Sequence, residues 1–136
     1  QAELFCARGM ELYKKLNCQR GVALAHKMLG HTYYHSKRWA KARASYLESA
    51  RLFEELADKQ QLSAMRINLG NIAFELEDYA EAESNYRQSL ELKIALGDQR
   101  GIATAWHNLG EVAFKLKDYQ KAGEFLQQSF AIAEKI

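Results

Sequence analysis

Residues 68–79 read Asn-Leu-Gly-Asn-Ile-Ala-Phe-Glu-Leu-Glu-Asp-Tyr, and residues 108–119 read Asn-Leu-Gly-Glu-Val-Ala-Phe-Lys-Leu-Lys-Asp-Tyr. The same 40-residue offset extends outward from this pair. Leu-Gly recurs at 29–30, 69–70 and 109–110, followed by an aromatic at Trp39, Tyr79 and Tyr119. An alanine column (Ala42, Ala82, Ala122), a serine column (Ser49, Ser89, Ser129) and an aliphatic column (Leu52, Leu92, Ile132) come next. Residues 63–96 and 103–136 share 11 identities in 34 positions. Self-similarity at a fixed period of this length is the mark of a repeat architecture.

One further shift explains the N-terminus. Ala2 falls in the alanine column, Gly9 in the small-residue column, and Leu12 and Leu16 in the columns of Leu52 and Leu56. The chain is thus read as one array: residues 1–22 as the second helix of a truncated repeat, then repeats at 23–62, 63–102 and 103–136. It starts without a methionine and inside a helical pattern, as a piece of a longer protein would.

Each unit reads as two helices. Met65, Leu69, Ile72 and Leu76 recur at three- and four-residue spacing, an amphipathic helical pattern. Asp78 and Asp118 suit the start of the following helix, by capping and by their charge against its dipole. Gly97, Asp98 and Gly101 read as a stop and a short connection. Seven helices are expected, at about 2–16, 22–36, 40–57, 62–76, 79–96, 102–116 and 119–135. Gly30, Gly70 and Gly110 each cost about 1 kcal/mol inside a helix, so their recurrence implies close approach. Tyr46, Tyr86 and Leu126 are expected to fill the space between repeats. A lone helix pair cannot bury its apolar face, whereas stacked pairs form one continuous core.

Composition agrees. The 136 residues contain no proline, where an average composition of about 5% would supply roughly seven. That disfavours turn-rich β folds and suits helices, whose interiors exclude proline. The net charge of +2 argues against a dedicated nucleic-acid binder. No stretch approaches the roughly 18 apolar residues of a membrane span, and no signal peptide is visible. Cys6 and Cys18, twelve residues apart, would lie roughly 18 Å apart along a helix, beyond disulfide reach. Free thiols fit a cytoplasmic protein.

The Asn-Leu-Gly and Asp-Tyr pairs, with the alanine and tyrosine columns, resemble the tetratricopeptide repeat over the whole chain. The common repeat has 34 residues and a proline after its second helix; here the period is 40 and the proline is absent. The longer form is similar to repeats of kinesin light chains, of polarity scaffolds and of bacterial regulators. The resemblance implies an all-α, right-handed α-solenoid of antiparallel helix pairs whose first helices line a concave groove. It also implies a non-enzymatic module without cofactors, which binds a peptide or protein segment in that groove.

The groove face should be the stripe of each first helix that the core columns leave free. It comprises Lys27, His31, Tyr34 and His35, then Ile67, Asn68, Asn71, Phe74 and Glu75, then His107, Asn108, Glu111, Phe114 and Lys115. The asparagines stand out, since an amide both donates and accepts and so can pair with an extended peptide backbone. Related repeats that clamp a terminal carboxylate do so with lysines, an arginine and asparagines, and here only Lys27 and Asn68 match two of those positions. His31 replaces an asparagine there, and Thr104 and Asn108 stand where basic residues are needed.

Other features read as structural. His31 and His35 are four residues apart, a spacing that can hold a metal, but no third ligand is evident. Cys6 falls in the Tyr46 column and reads as core. Lys37, Arg38, Lys41 and Arg43 read as a solvated edge, without the aromatic interleaving of a nucleic-acid surface. A second reading makes the array the sensor or autoinhibitory part of a larger signalling or transcription regulator, with its partner in cis. A third makes it a self-assembling structural repeat. The last helix keeps apolar Phe130, Ile132 and Ile136 where a terminal repeat normally carries a polar face, so end-to-end association is expected.

Overall fold

The computed structural model describes residues 1–136 as seven helices: α1 (Ala2–Lys15), α2 (Gln19–His35), α3 (Trp39–Glu55), α4 (Lys59–Glu75), α5 (Tyr79–Leu96), α6 (Gln99–Lys115) and α7 (Tyr119–Ala133). Each packs on its neighbours in sequence, giving an all-α helical-repeat solenoid. Helices α2/α3, α4/α5 and α6/α7 are the three complete pairs, and α1 is an unpaired second helix.

The joints follow one design. The backbone is left-handed at Asn17, Lys37, Ala57, Glu77, Gly97 and Lys117, with φ of 53°, 59°, 55°, 61°, 66° and 64°. These residues are 20 apart, so both kinds of connection in the repeat share one geometry. At each joint the next amide reaches back to a carbonyl five residues earlier, as in Asp78 N–H to Ala73 O at 2.8 Å and Asp98 N–H to Lys93 O at 3.1 Å. This pattern satisfies helix-end carbonyls that would otherwise lack partners.

The residue after the left-handed one caps the next helix. Asp78 accepts from Glu81 N–H and Asp118 from Lys121 N–H, both at 3.2 Å, as expected. The first helices, however, begin three residues earlier than the sequence suggested. Asp58 and Asp98 are their caps, accepting from Gln61 and Gly101 N–H at 3.1 and 3.0 Å. Cys18 occupies the same place with its sulfur 3.4 Å from Gly21 N. Gly101 therefore lies inside α6, not in the connection. A β-carbon there would stand 2.5 Å from Lys93 Cδ. The lysine stem crosses the glycine and its ammonium reaches Asp98 at 3.1 Å.

The core is one small-residue seam flanked by large side chains. Ala42, Ala82 and Ala122 are buried, with Phe53, Met65, Ile72, Leu109 and Val112 around them. The serine column proves to be polar glue: Ser49 Oγ donates to Ala23 O and Ser129 Oγ to Ala103 O, each at 2.8 Å. In the middle repeat Ser63 replaces that alanine, and its hydroxyl pairs with Ser89 at 3.1 Å. Every buried side-chain polar atom has a partner, as a well-formed interior requires.

Tyr46 lies over Gly30 and Tyr86 over Gly70, each within its own helix pair, and each belongs to a core cluster shared with the first helix of the next repeat. A β-carbon on those glycines would come within 2.4 and 2.6 Å of the rings. This close approach is why glycine is used in the middle of these helices.

Two surfaces are left uncovered. On α1, Phe5 is 76% exposed and Leu12 55%, and with Leu24 and Met28 they line an open cavity of about 550 Å³. On α7, Phe130 is exposed at 67%.

Candidate groove

The first helices α2, α4 and α6 are tied side by side. Lys27 Nζ donates to Gln61 Oε1 at 3.0 Å, joining α2 to α4. The Lys115 ammonium stands 6.0 Å from the centre of the Phe74 ring, joining α6 to α4. Beneath them, a hydroxyl from the second helix reaches up in two of the three repeats.

In the first complete repeat, the Tyr46 hydroxyl and His31 Nδ1 are hydrogen-bonded at 2.6 Å. In the second, the Tyr86 hydroxyl donates to Asn71 Oδ1 at 2.6 Å. Burial raises the pKa of both phenols well above the ordinary value; at Tyr86 the carboxylates of Glu111 and Glu75 add to it. Both hydroxyls therefore stay protonated. Burial, with the charges of Lys27 and His35, holds the His31 imidazole below its ordinary pKa, so it stands neutral near pH 7.

The third repeat breaks the pattern. Leu126 replaces the tyrosine, and Glu111 replaces Asn71 and His31. Leucine is shorter than tyrosine and has no hydroxyl. An open cavity of about 470 Å³ lies there, lined by Phe74, His107, Gly110, Glu111, Phe114, Lys115 and Leu126. Glu111 Oε1 lies 3.1 Å from His107 Nε2 on the exposed side.

The sequence candidates are placed differently. Phe74, His107, Glu111, Phe114 and Lys115 come together around the cavity. Asn71 and His31 are held by the tyrosines. Tyr34 and Phe74 also brace the helix corners, packing edge-on against Trp39 and Tyr79 at 5.2 and 5.4 Å; Phe114 meets Tyr119 in the same way at 5.5 Å. Asn68 and Asn108 are half-buried and their side chains make no hydrogen bond within the protein. Ile67 is half-buried, while Glu75 and His35 are exposed. No group of three His, Cys, Asp or Glu converges in a metal-holding arrangement. Sequence reading did not place Tyr46, Tyr86, Gly110 or Leu126 at the groove, although the substitution of Leu126 in a tyrosine column was the visible signal.

The basic edge is engaged internally. Arg38 pairs with Glu3 at 3.3 Å and lies over the Tyr33 ring, Lys41 lies over the same ring, and Arg43 pairs with Glu81 at 2.7 Å. Cys6 is buried and Cys18 half-buried, both as free thiols. No helix is long and apolar enough to cross a membrane.

Paired helices joined at 20-residue intervals, with glycine-seated tyrosines beneath a row of first helices, define a helical-repeat scaffold. The tetratricopeptide repeat pattern matches residues 21–95 and, in a second form, residues 67–133. The chain belongs to the tetratricopeptide repeat family. Its fold is similar to the crystal structure of BtubC (BKLC) from P. vanneervenii, with a TM-score of 0.89 and 19% identity over 98% of this chain and 56% of that one. It thus spans little more than half the length of BtubC. It is also similar to the TPR domain of Arabidopsis FLU, with a TM-score of 0.77 and 21% identity over 84% of this chain and 96% of that domain. No curated protein matches the sequence.

Proposed function

We propose that this chain is a non-enzymatic interaction module that holds an extended peptide or protein segment along the α2/α4/α6 face. Tetratricopeptide repeats generally mediate protein–protein interaction, which supports the general class. The observation that carries the finer reading is the orientation of Asn71. Its Oδ1 accepts from the Tyr86 hydroxyl, so its amide nitrogen, which has no partner within the protein, is left as a donor. Asn68 and Asn108, free of internal partners, offer further amides on the neighbouring turns. A peptide backbone lacks side-chain identity but always presents carbonyls and N–H groups. Affinity would come from these amides and specificity from Lys27, His31, Glu75, Glu111 and Lys115. The two free thiols suit a reducing, cytoplasmic setting.

The test is binding of a peptide array to the wild type and to the Asn71→Asp/Asn108→Ala double variant. Aspartate keeps the acceptor for Tyr86 while it removes the donor and adds a negative charge, so the comparison is made on array peptides without charged residues. Array peptides should bind the double variant at least about tenfold more weakly, as expected for loss of two hydrogen bonds, with helical content unchanged. Equal binding by both proteins would refute groove recognition.

A further inference from the structure

The third repeat departs from the other two at one coupled pair of positions. Where Tyr46 and Tyr86 cover Gly30 and Gly70, Leu126 covers Gly110. Where His31 and Asn71 receive the tyrosine hydroxyl, Glu111 stands without one. The loss of the outer ring and hydroxyl coincides with the cavity of about 470 Å³. Its floor is Leu126, which lies over Gly110, and its apolar walls are Phe74 and Phe114. Phe114 is 59% exposed, so its ring is open to a ligand.

Charge around the cavity is unequal. Glu111 sits on the rim, and Glu75 follows Phe74 on α4. Glu111 lines the cavity, and both carboxylates add to the raised pKa of the Tyr86 hydroxyl beneath. Neither has a lysine or arginine partner; Glu111 meets only His107. Against these two carboxylates stands Lys115, whose ammonium faces the Phe74 ring.

We infer that this cavity is an anchor pocket for one large apolar side chain, of the leucine, methionine or phenylalanine kind, on an extended segment of a partner protein with a basic residue beside it. The inference rests on the groove reading and adds the chemistry of the segment. The side chain enters from the groove, fills the place left by the missing phenol, and rests on Leu126 between the two phenylalanine rings. The basic neighbour meets Glu111 and Glu75. Burying such a side chain in an apolar site is worth about tenfold or more in affinity over alanine.

The test uses labelled nonapeptides in a serine–glycine background. The central residue is Ala, Leu, Met or Phe, and its flanks are Lys, Ser or Glu; binding is read by fluorescence anisotropy. The wild type should bind the Leu, Met or Phe peptides with Lys flanks at least tenfold more tightly than the Ala peptide, with Glu flanks weakest. Leu126→Tyr restores the tyrosine column, keeps its glycine seat and should erase the preference for the large centre. Phe114→Ala, which removes an exposed wall, should weaken the same peptides and leave the Ala peptide unchanged. Both variants are checked for an unaltered thermal transition.

An unchanged preference in both variants, or tighter binding of Glu-flanked peptides, would overturn the pocket. If peptides bind with sensitivity to Asn71→Asp but without regard to the central residue, the pocket falls and the groove stands. If no nonapeptide binds the wild type, both fall.

Discussion

Tyr86 and Asn71 form a joint between two helices and between fold and groove: the ring lies on Gly70 and its hydroxyl donates to Asn71 Oδ1 at 2.6 Å. The asparagine is thereby both a groove residue and the acceptor that satisfies a buried phenol. Replacing it has two effects, which different substitutions separate. Asn71→Ala leaves the hydroxyl without its acceptor and should cost about 1–2 kcal/mol of stability. Asn71→Asp keeps an oxygen in place and should cost less. Urea unfolding of the two variants checks this, and equal losses would mean that the hydrogen bond contributes nothing.

Ala57 holds a left-handed backbone, φ 55°, where the matching joint before α6 uses Gly97 at φ 66°. A β-carbon in that conformation costs about 1 kcal/mol. Ala57→Gly should therefore raise the urea midpoint, and Gly97→Ala should lower it by a similar amount. No atom lies within 4 Å of a β-carbon built on Gly97, so the loss would be conformational and not steric. An Ala57→Gly protein less stable than wild type would contradict this account.

His31 and His26 are both held below the ordinary imidazole value, in each case chiefly by burial. When the folded pKa is depressed, the unfolded chain takes up protons first as pH falls. Stability is then undiminished well above pH 6.5, the ordinary value, and declines as pH drops through it. Melting temperature should fall between pH 7.5 and pH 5.5. The His26→Gln/His31→Gln double variant should show a smaller fall, and an identical decline would assign the effect to other groups.

The uncovered faces of α1 and α7 predict association of the isolated chain. In the complete pairs the face of the second helix that matches Phe5, Gly9 and Leu12 is covered by a first helix, as the Ser49–Ala23 bond shows. Static light scattering from micromolar to millimolar concentration should show mass rising above 15.6 kDa. The Phe5→Ser/Leu12→Ser variant should stay monomeric over a wider range. A wild type that is monomeric at millimolar concentration would sink the prediction.

The repeat and its helix pairs were legible because every constraint recurs at one period. Leu-Gly, the alanine seam and Asp-Tyr each mark a face or an end, and three copies remove ambiguity. Helix starts at 19, 59 and 99 were missed for a local reason. Asp98 follows a glycine and precedes another at 101, so the stretch looks like a turn, while the second glycine is small because Lys93 crosses it. The groove stripe was legible as a stripe, since helical spacing alone defines it. The roles within it were not, because they depend on how far a side chain reaches from the helix behind. Asn68 and Asn71 lie on one stripe of the same helix in the sequence, yet only Asn71 receives a hydroxyl.

The six joints share one backbone geometry, so a small change of angle at any of them alters the pitch of the array in the same sense. Five are stiffened by a β-carbon in a narrow left-handed well, and only the joint between α5 and α6 is glycine. Glycine occupies a broader basin there. The most compliant hinge of the spring therefore lies next to α6, which shares the cavity beside Leu126 with α4. Changes in groove curvature will be concentrated at Gly97, and the width of the cavity will follow them.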